Sequence, residues 1–242
     1  MPSWKVWARD AIRRRRRAGA HWVAVLDAVR ELGSATGRAR RWTRLVHRGS
    51  LHQITEYTEP NRYPALFDLA ARLRPDAKRI LSFGCSTGEE LESIRRRFPD
   101  ACIVGAEINP RSRAAARTRV ANDPATQVVQ SIEGQAGFDV IFALAVLQFQ
   151  PHRIEDEGVQ DLAPIYPFRR FEQQVTKLTA VLKAGGLLCV MHTHYRIEDC
   201  TVASQLMSVE DAPALGGPLF RPDGWRYDNL PAAQSMFIKR PD

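Results

Sequence analysis

Apolar residues recur along this chain in two alternating rhythms. Short unbroken apolar runs predict strands at Arg79–Phe83, Cys102–Ala106, Gln127–Gln130, Phe138–Phe142 and Leu187–Met191. Between them, apolar residues spaced three or four apart predict helices at Ala65–Leu73, Glu89–Phe98 and Arg111–Val120, and a further helix with Phe168, Phe171, Val175, Leu178 and Val181 on one face. Gly185 and Gly186 follow that face and are expected to end its helix. Continuous apolar strands alternating with helices imply a mostly parallel sheet covered on both faces. Two late segments, Gln205–Val209 and Ser235–Lys239, have no helical pattern between them but a turn signal, Arg221-Pro-Asp-Gly224. They are expected to add an antiparallel hairpin at the sheet edge, for seven strands in all. No repeat at 20–50-residue spacing is visible.

Upstream of Ala65 the pattern changes. Residues 3–32 predict a helix with Trp22, Leu26 and Val29 on one face, residues 33–37 a break, and residues 38–48 a second basic stretch. Tyr57-Thr-Glu-Pro-Asn-Arg-Tyr-Pro64 holds two prolines that push their preceding residues toward extended backbone, so it reads as a link. Charge divides the chain at the same place. Of the 242 residues, the first 48 hold 13 Lys+Arg against 3 Asp+Glu, whereas the remainder hold 22 against 24. The formal net charge of +8 therefore belongs to an N-terminal arm, taken as residues 1–55, and not to residues 56–242. The run Arg13–Arg17 is the candidate contact for a polyanion, whether RNA phosphates or an anionic membrane surface; a solvated helix face is the plain alternative.

Cys85, Cys102, Cys189 and Cys200 have no C-x-x-C spacing, which argues against a zinc or dithiol site. No apolar run nears the roughly 18 residues of a membrane span, and no secretory signal is visible. A cytoplasmic protein is expected.

The segment that carries chemistry is Ile80-Leu-Ser-Phe-Gly84-Cys-Ser-Thr-Gly88-Glu-Glu, a strand running through a glycine-containing turn into a helix. Ligands of open parallel sheets bind at the carboxyl ends of strands, and glycine lets backbone approach them closely. Glu107, nineteen residues after Gly88, ends the second strand, where a carboxylate can accept both hydroxyls of a ribose. A dinucleotide would need its third glycine at Glu89, where a carboxylate would repel the pyrophosphate. A nucleoside cofactor with an ammonium in place of phosphate suits these acids better.

Gly84 to Gly88, Glu107, Phe138-Asp139-Val140-Ile141 and Leu182-Lys-Ala-Gly-Gly186, in this order and spacing, resemble the successive motifs of class I S-adenosylmethionine-dependent methyltransferases over roughly residues 65–195. The Gly-Cys-Ser-Thr-Gly-Glu-Glu run and Glu107-Ile-Asn-Pro110 are similar in particular to chemotaxis-receptor glutamate methyltransferases. Departures are Ser82, where many members have an acid, and Ser86 in place of the middle glycine. The segment Ala143-Leu-Ala-Val-Leu-Gln148 also lacks the receptor enzymes' Asn.

The resemblance implies a Rossmann-like α/β fold and S-adenosylmethionine as cofactor, with residues 56–242 as the methyltransferase domain. It implies that Gly84, Cys85, Ser86 and Gly88 line the methionine portion, Glu89 reaches its ammonium and Glu107 binds the ribose. Ile108 and Asn109 would lie near the adenine, Ser131 and Ile132 at its edge, Ala143 and Val146 near the sulfonium, and Arg62 against the methionine carboxylate.

Candidates for the acceptor side follow the fourth and fifth strands: Gln148, His152, His192, His194 and Tyr195. His192, His194 and Tyr195 are the candidate catalytic groups, since histidine serves as a base near neutral pH. No third ligand accompanies the two histidines at a recognisable metal spacing. Gln150–Tyr166 is a long insert of the kind that forms lids or binding loops. The expected activity is methyl transfer to oxygen or nitrogen of a small molecule or glycan precursor. A protein carboxylate methyltransferase, an RNA methyltransferase and a non-catalytic binding module with this fold remain alternatives.

Overall fold

The computed structural model describes residues 61–229 and 233–241. The expected N-terminal helices and the Arg13–Arg17 run lie outside the described residues. In chain order the elements are α1 (Pro64–Leu73), β1 (Arg79–Phe83), α2 (Glu89–Arg97), β2 (Cys102–Ala106), α3 (Pro110–Arg119), β3 (Thr126–Val129) and β4 (Phe138–Leu144). They are followed by α4 (Pro151–Asp156), α5 (Phe168–Val181), β5 (Leu182–Met191), two short 3₁₀ turns, β6 (Leu206–Ser208) and β7 (Met236–Lys239).

The seven strands form one sheet in the order β3-β2-β1-β4-β5-β7-β6. The first five are parallel, and β7 runs antiparallel to both β5 and β6. This is the expected Rossmann-like α/β sheet, its last two strands antiparallel at one edge. Neighbouring residues of each central strand serve opposite cores. Ile80, Ile103, Val140 and Leu187 pack with Leu66, Phe67 and Ala70 of α1 and Leu91 and Ile94 of α2. Leu81, Val104, Ile141 and Leu188 pack with Phe171, Val175 and Leu178 of α5 on the other face. Such two-sided burial is why these strands are apolar throughout rather than alternating. The direction of the strand order reverses between β1 and β4, so the crevice for a ligand opens at their carboxyl ends.

Two expectations about local structure are corrected. Gly185 and Gly186 do not end α5: Leu182, in extended backbone, passes directly from the helix into β5. The glycines instead form an irregularity in β5, where the pairing moves from Phe138↔Leu182 to Val140↔Leu187. A Cβ on Gly186 would meet Leu182 Cδ1 at 2.6 Å and Asp139 O at 3.0 Å, and the Gly185 carbonyl accepts from the Arg74 guanidinium. The Arg221–Gly224 turn, for its part, is not merely a hairpin tip. It is tied to the Gln150–Tyr166 insert by Leu162 N–H to Gly224 O at 2.8 Å and by the bridge Asp161↔Trp225. Leu162 and Tyr166 are fully buried, so that half of the insert is part of the core.

Candidate cofactor and acceptor site

The glycine turn is held by the strand beside it. Gly84 N–H and Cys85 N–H both donate to Ala106 O, at 2.8 and 3.2 Å, and Gly88 N–H donates to Cys85 O at 3.0 Å. Gly84 has φ +80°, and a Cβ there would stand 2.5 Å from Val146 Cγ2, so the turn lies directly against the exit of β4. Gly88 caps α2 with φ +96°, close to Ala116 of α3. Ser86 also has positive φ, +49°, which costs a non-glycine residue about 1–2 kcal/mol. Its hydroxyl is buried and has no hydrogen-bond partner among the described residues. The Cys85 side chain points into the core, near Gly105, so only its backbone faces outward. Burial, then the charges of Glu107 and Glu90, push that thiol far above its ordinary range.

Glu107 is 9% exposed, and two backbone donors fix its carboxylate. Ser86 N–H reaches Oε2 at 3.0 Å and Asn109 N–H reaches Oε1 at 2.7 Å. The two donors fix the orientation of both carboxylate oxygens at the end of β2. The Asn109 side chain is committed elsewhere: it caps α3, its Oδ1 accepting from Arg111 N–H at 2.9 Å and Ser112 N–H at 3.4 Å. Ile108 is half-buried beside it. Ser131 is exposed just past β3, and Ile132 packs on the core.

Glu89, expected to reach the ammonium, is ion-paired to Arg119 at 2.6 Å and accepts from Thr87 Oγ1 at 2.7 Å. Its neighbour Glu90, not singled out from the sequence, has its Oε1 accepting from Ser82 Oγ at 2.7 Å. Burial outweighs the opposing effects of Ser82 and Arg62 and pushes Glu90 up to about 8. The phase of α2 carries a signal for it, because Glu90 lies one turn before the buried Ile94. Ala143 is still inside β4 and fully buried, since the strand runs two residues past its expected end. Ala145, with φ +55°, and Val146 are the residues that leave the strand toward the turn.

On the acceptor side, Tyr195 is a core residue: it is fully buried and its hydroxyl donates to Tyr166 O at 2.6 Å. His194 is 2% exposed, with Nε2 3.2 Å from Phe149 O. Burial holds it at about 4 against the raising effect of that contact, so it is neutral near pH 7. His192 is half-buried at the end of β5, with φ +52° and its ring 5.7 Å from that of Tyr63. Burial and then the Arg62 charge keep it below 6.5, with Glu155 opposing. Arg62 lies over the Tyr63 ring at 5.2 Å. Gln148 is buried, bonded through Nε2 to Ala145 O at 3.2 Å, and His152 is exposed. Among the described residues, no group of three or more His, Cys, Asp or Glu is placed to hold a metal.

Fold and turn together define a nucleoside-cofactor protein whose site is lined with acids, which favours a cationic tail over a pyrophosphate. The residues fit S-adenosylmethionine: a braced carboxylate at the end of β2, a buried hydroxyl in the turn that has no partner among the described residues, and the charged groups Glu90 and Arg62. A family profile described as a methyltransferase domain matches residues 54–158. The trans-aconitate 2-methyltransferase of Variovorax paradoxus is 30% identical over 196 residues, covering 75% of this chain and 67% of that protein. That of Methylobacterium nodulans is 34% identical over 102 residues, 41% of this chain but only 39% of that relative. Among solved structures, the N-methyltransferase NodS of Bradyrhizobium japonicum matches with TM-score 0.46 and 14% identity, over 75% of this chain and 99% of that one. The chain belongs to the class I S-adenosylmethionine-dependent methyltransferases. S-adenosylmethionine is its cofactor. No helix among the described residues is long and apolar enough to cross a membrane.

Proposed function

We propose that the protein methylates a carboxylate oxygen of a small organic acid. The supporting observation is the state of the candidate bases. Tyr195 is locked in the core, and His194 is buried, neutral and turned to a backbone carbonyl. Bound S-adenosylmethionine supplies an electrophilic methyl on a sulfonium. A carboxylate acceptor is already ionised, attacks in line and loses no proton, so positioning is all that the protein must contribute. An alcohol acceptor would need a base to take its proton. The acceptor named for the trans-aconitate 2-methyltransferases is an acid of the proposed kind.

In this reading Glu107 holds the ribose and the turn from Gly84 to Gly88 admits the thioether portion. Val146 forms the wall next to the reacting methyl, and His192 and Tyr63 border the acceptor. Residues 56–242 form the catalytic domain.

The test is incubation with methyl-labelled cofactor and a panel of di- and tricarboxylic acids, trans-aconitate among them. Label released as volatile methanol by mild base identifies a methyl ester. Base-stable label on an amine or hydroxyl would overturn the proposal. A second reading, transfer to a hydroxyl with His192 as base, is favoured by that residue's position at the end of β5. His192→Gln separates the two: kcat survives for a carboxylate acceptor and collapses, by roughly a hundredfold or more, if His192 takes a proton.

A further inference from the structure

Helix α3 is fastened to the sheet by arginines rather than by an apolar stripe. Of Pro110–Arg119 only Ser112 and Ala116 are buried, and Ala116 is its sole residue in the apolar cores. Three of its four arginines donate instead to main-chain carbonyls of neighbouring segments. Arg119 Nε reaches Thr87 O in the glycine turn at 2.9 Å. Arg117 reaches Val128 O in β3 through Nε and Nη2, at 3.1 and 3.0 Å. Arg113 Nη1 reaches both Glu107 O, at 2.8 Å, and Ile108 O, at 3.1 Å, just past β2.

The Arg113 bonds bear on the site. Ile108 C=O and Asn109 N–H belong to one peptide unit, and that unit is planar. A donor held on Ile108 O therefore sets the direction of Asn109 N–H, which in turn holds Glu107 Oε1 at 2.7 Å. The second bond, to Glu107 O, fixes the preceding peptide unit, so the backbone on both sides of Ile108 is held by one guanidinium. Burial and then the Arg117 charge lower Arg113, with the Glu107 charge opposing, so carboxylate and guanidinium also lie within electrostatic reach. We propose that Arg113 is a positioning residue for the cofactor: by gripping two successive carbonyls it aims the peptide that presents Glu107 to the ribose, without itself touching the cofactor. This rests on Glu107 receiving the ribose hydroxyls. Arg117 makes the same kind of bond one strand further out, to a carbonyl that takes no part in holding the carboxylate.

The experiment is calorimetry of the full chain with S-adenosylhomocysteine and with its 2′,3′-dideoxy analogue. The unaltered chain should bind the first about tenfold or more tighter than the second, because the analogue lacks the hydroxyls that Glu107 accepts. Arg113→Met should weaken S-adenosylhomocysteine about tenfold and hardly change the analogue, so that the gap between them closes. Arg117→Met, which loosens the same helix elsewhere, should leave both affinities within about twofold of the parent. Arg113→Lys keeps the charge on a shorter stem without the planar fork and should give a gap smaller than the parent's; it decides the matter if Arg113→Met does not fold. A full parental gap in the Arg113 variant, or a gap that closes equally in Arg117→Met, overturns the inference and leaves the cofactor site standing. Equal binding of the two compounds by the unaltered chain, or binding of neither, overturns the inference together with the ribose role of Glu107.

Discussion

At the scale of single residues, the site separates groups fixed by the fold from groups free to act. Glu107 is oriented by Ser86 N–H and Asn109 N–H. Hydrogen bonds to a charged acceptor are worth about 1.5–3 kcal/mol each. Glu107→Ala should therefore weaken S-adenosylhomocysteine binding at least tenfold in calorimetry while circular dichroism stays that of the folded chain. Tyr195→Phe should lower stability by about 1 kcal/mol through loss of the bond to Tyr166 O, and leave kcat unchanged. Stability should depend on pH through two groups with opposite signs. Glu90 is raised in the folded state, so its contribution is complete below the unfolded value of 4.5 and is lost as pH rises toward 8. His194 is depressed, so its contribution is present above 6.5 and is lost as pH falls toward 4. Between pH 6.5 and 8 only the first effect operates. Melting temperature should fall across that interval in the parent chain, and Glu90→Gln should flatten the decline.

At the scale of elements, most boundaries were legible because strand and helix carry different apolar periods. Strand β1, buried on both faces, is an unbroken run; α5 is a single stripe of Phe171, Val175 and Leu178. The turn was legible for a different reason: glycine at positions 84 and 88 meets a backbone requirement no other residue meets cheaply. What escaped depended on contacts distant in sequence. Locally only the phase of α2 separates Glu89 from Glu90, and it is Arg119, thirty residues on, that captures the first. Gly185 and Gly186 look like a helix end, yet the bulge they form answers to Asp139 on the neighbouring strand. Tyr195 follows a strand just as a catalytic residue would, and only the insert carrying Tyr166 makes it core. The glycines also predict separable defects. Gly84→Ala puts a methyl at φ +80° and 2.5 Å from Val146, so it should abolish cofactor binding as well as cost stability. Gly186→Ala meets Leu182 and Asp139 at the far end of the sheet and should cost about 1–3 kcal/mol in denaturant unfolding with cofactor affinity unchanged.

At the scale of the whole molecule, charge and chemistry occupy different stretches of chain. Every residue assigned to the cofactor apart from Arg62 lies after residue 80, whereas the excess positive charge lies before residue 49. The proposed division at residue 55 therefore predicts that changing Arg13–Arg17 to glutamine leaves S-adenosylhomocysteine affinity unaltered. The same change should sharply reduce retention on RNA or anionic vesicles, and retention by the parent should fall steeply with salt. Loss of cofactor affinity in that variant would make the arm part of the active site. Unchanged retention would leave the run as a solvated surface.

The position of β7 has a consequence for synthesis. Strand β6 has a single neighbour in the sheet, β7, and β7 lies between it and β5 although it comes later in the chain. A ribosome thus delivers β6 well before the strand that must separate it from β5. During that interval the outer edge of β5 at Leu187–Cys189 has no partner, and its N–H and C=O groups are open to any extended chain nearby. Once Met236–Lys239 emerges, it closes that edge and seats β6 in the same step, and Lys239 Nζ fastens the join to Thr179 O and Leu182 O at 3.0 and 2.9 Å. A nascent chain halted before Met236 is therefore the species most exposed to aggregation, because it carries a nearly finished sheet with its edge uncovered.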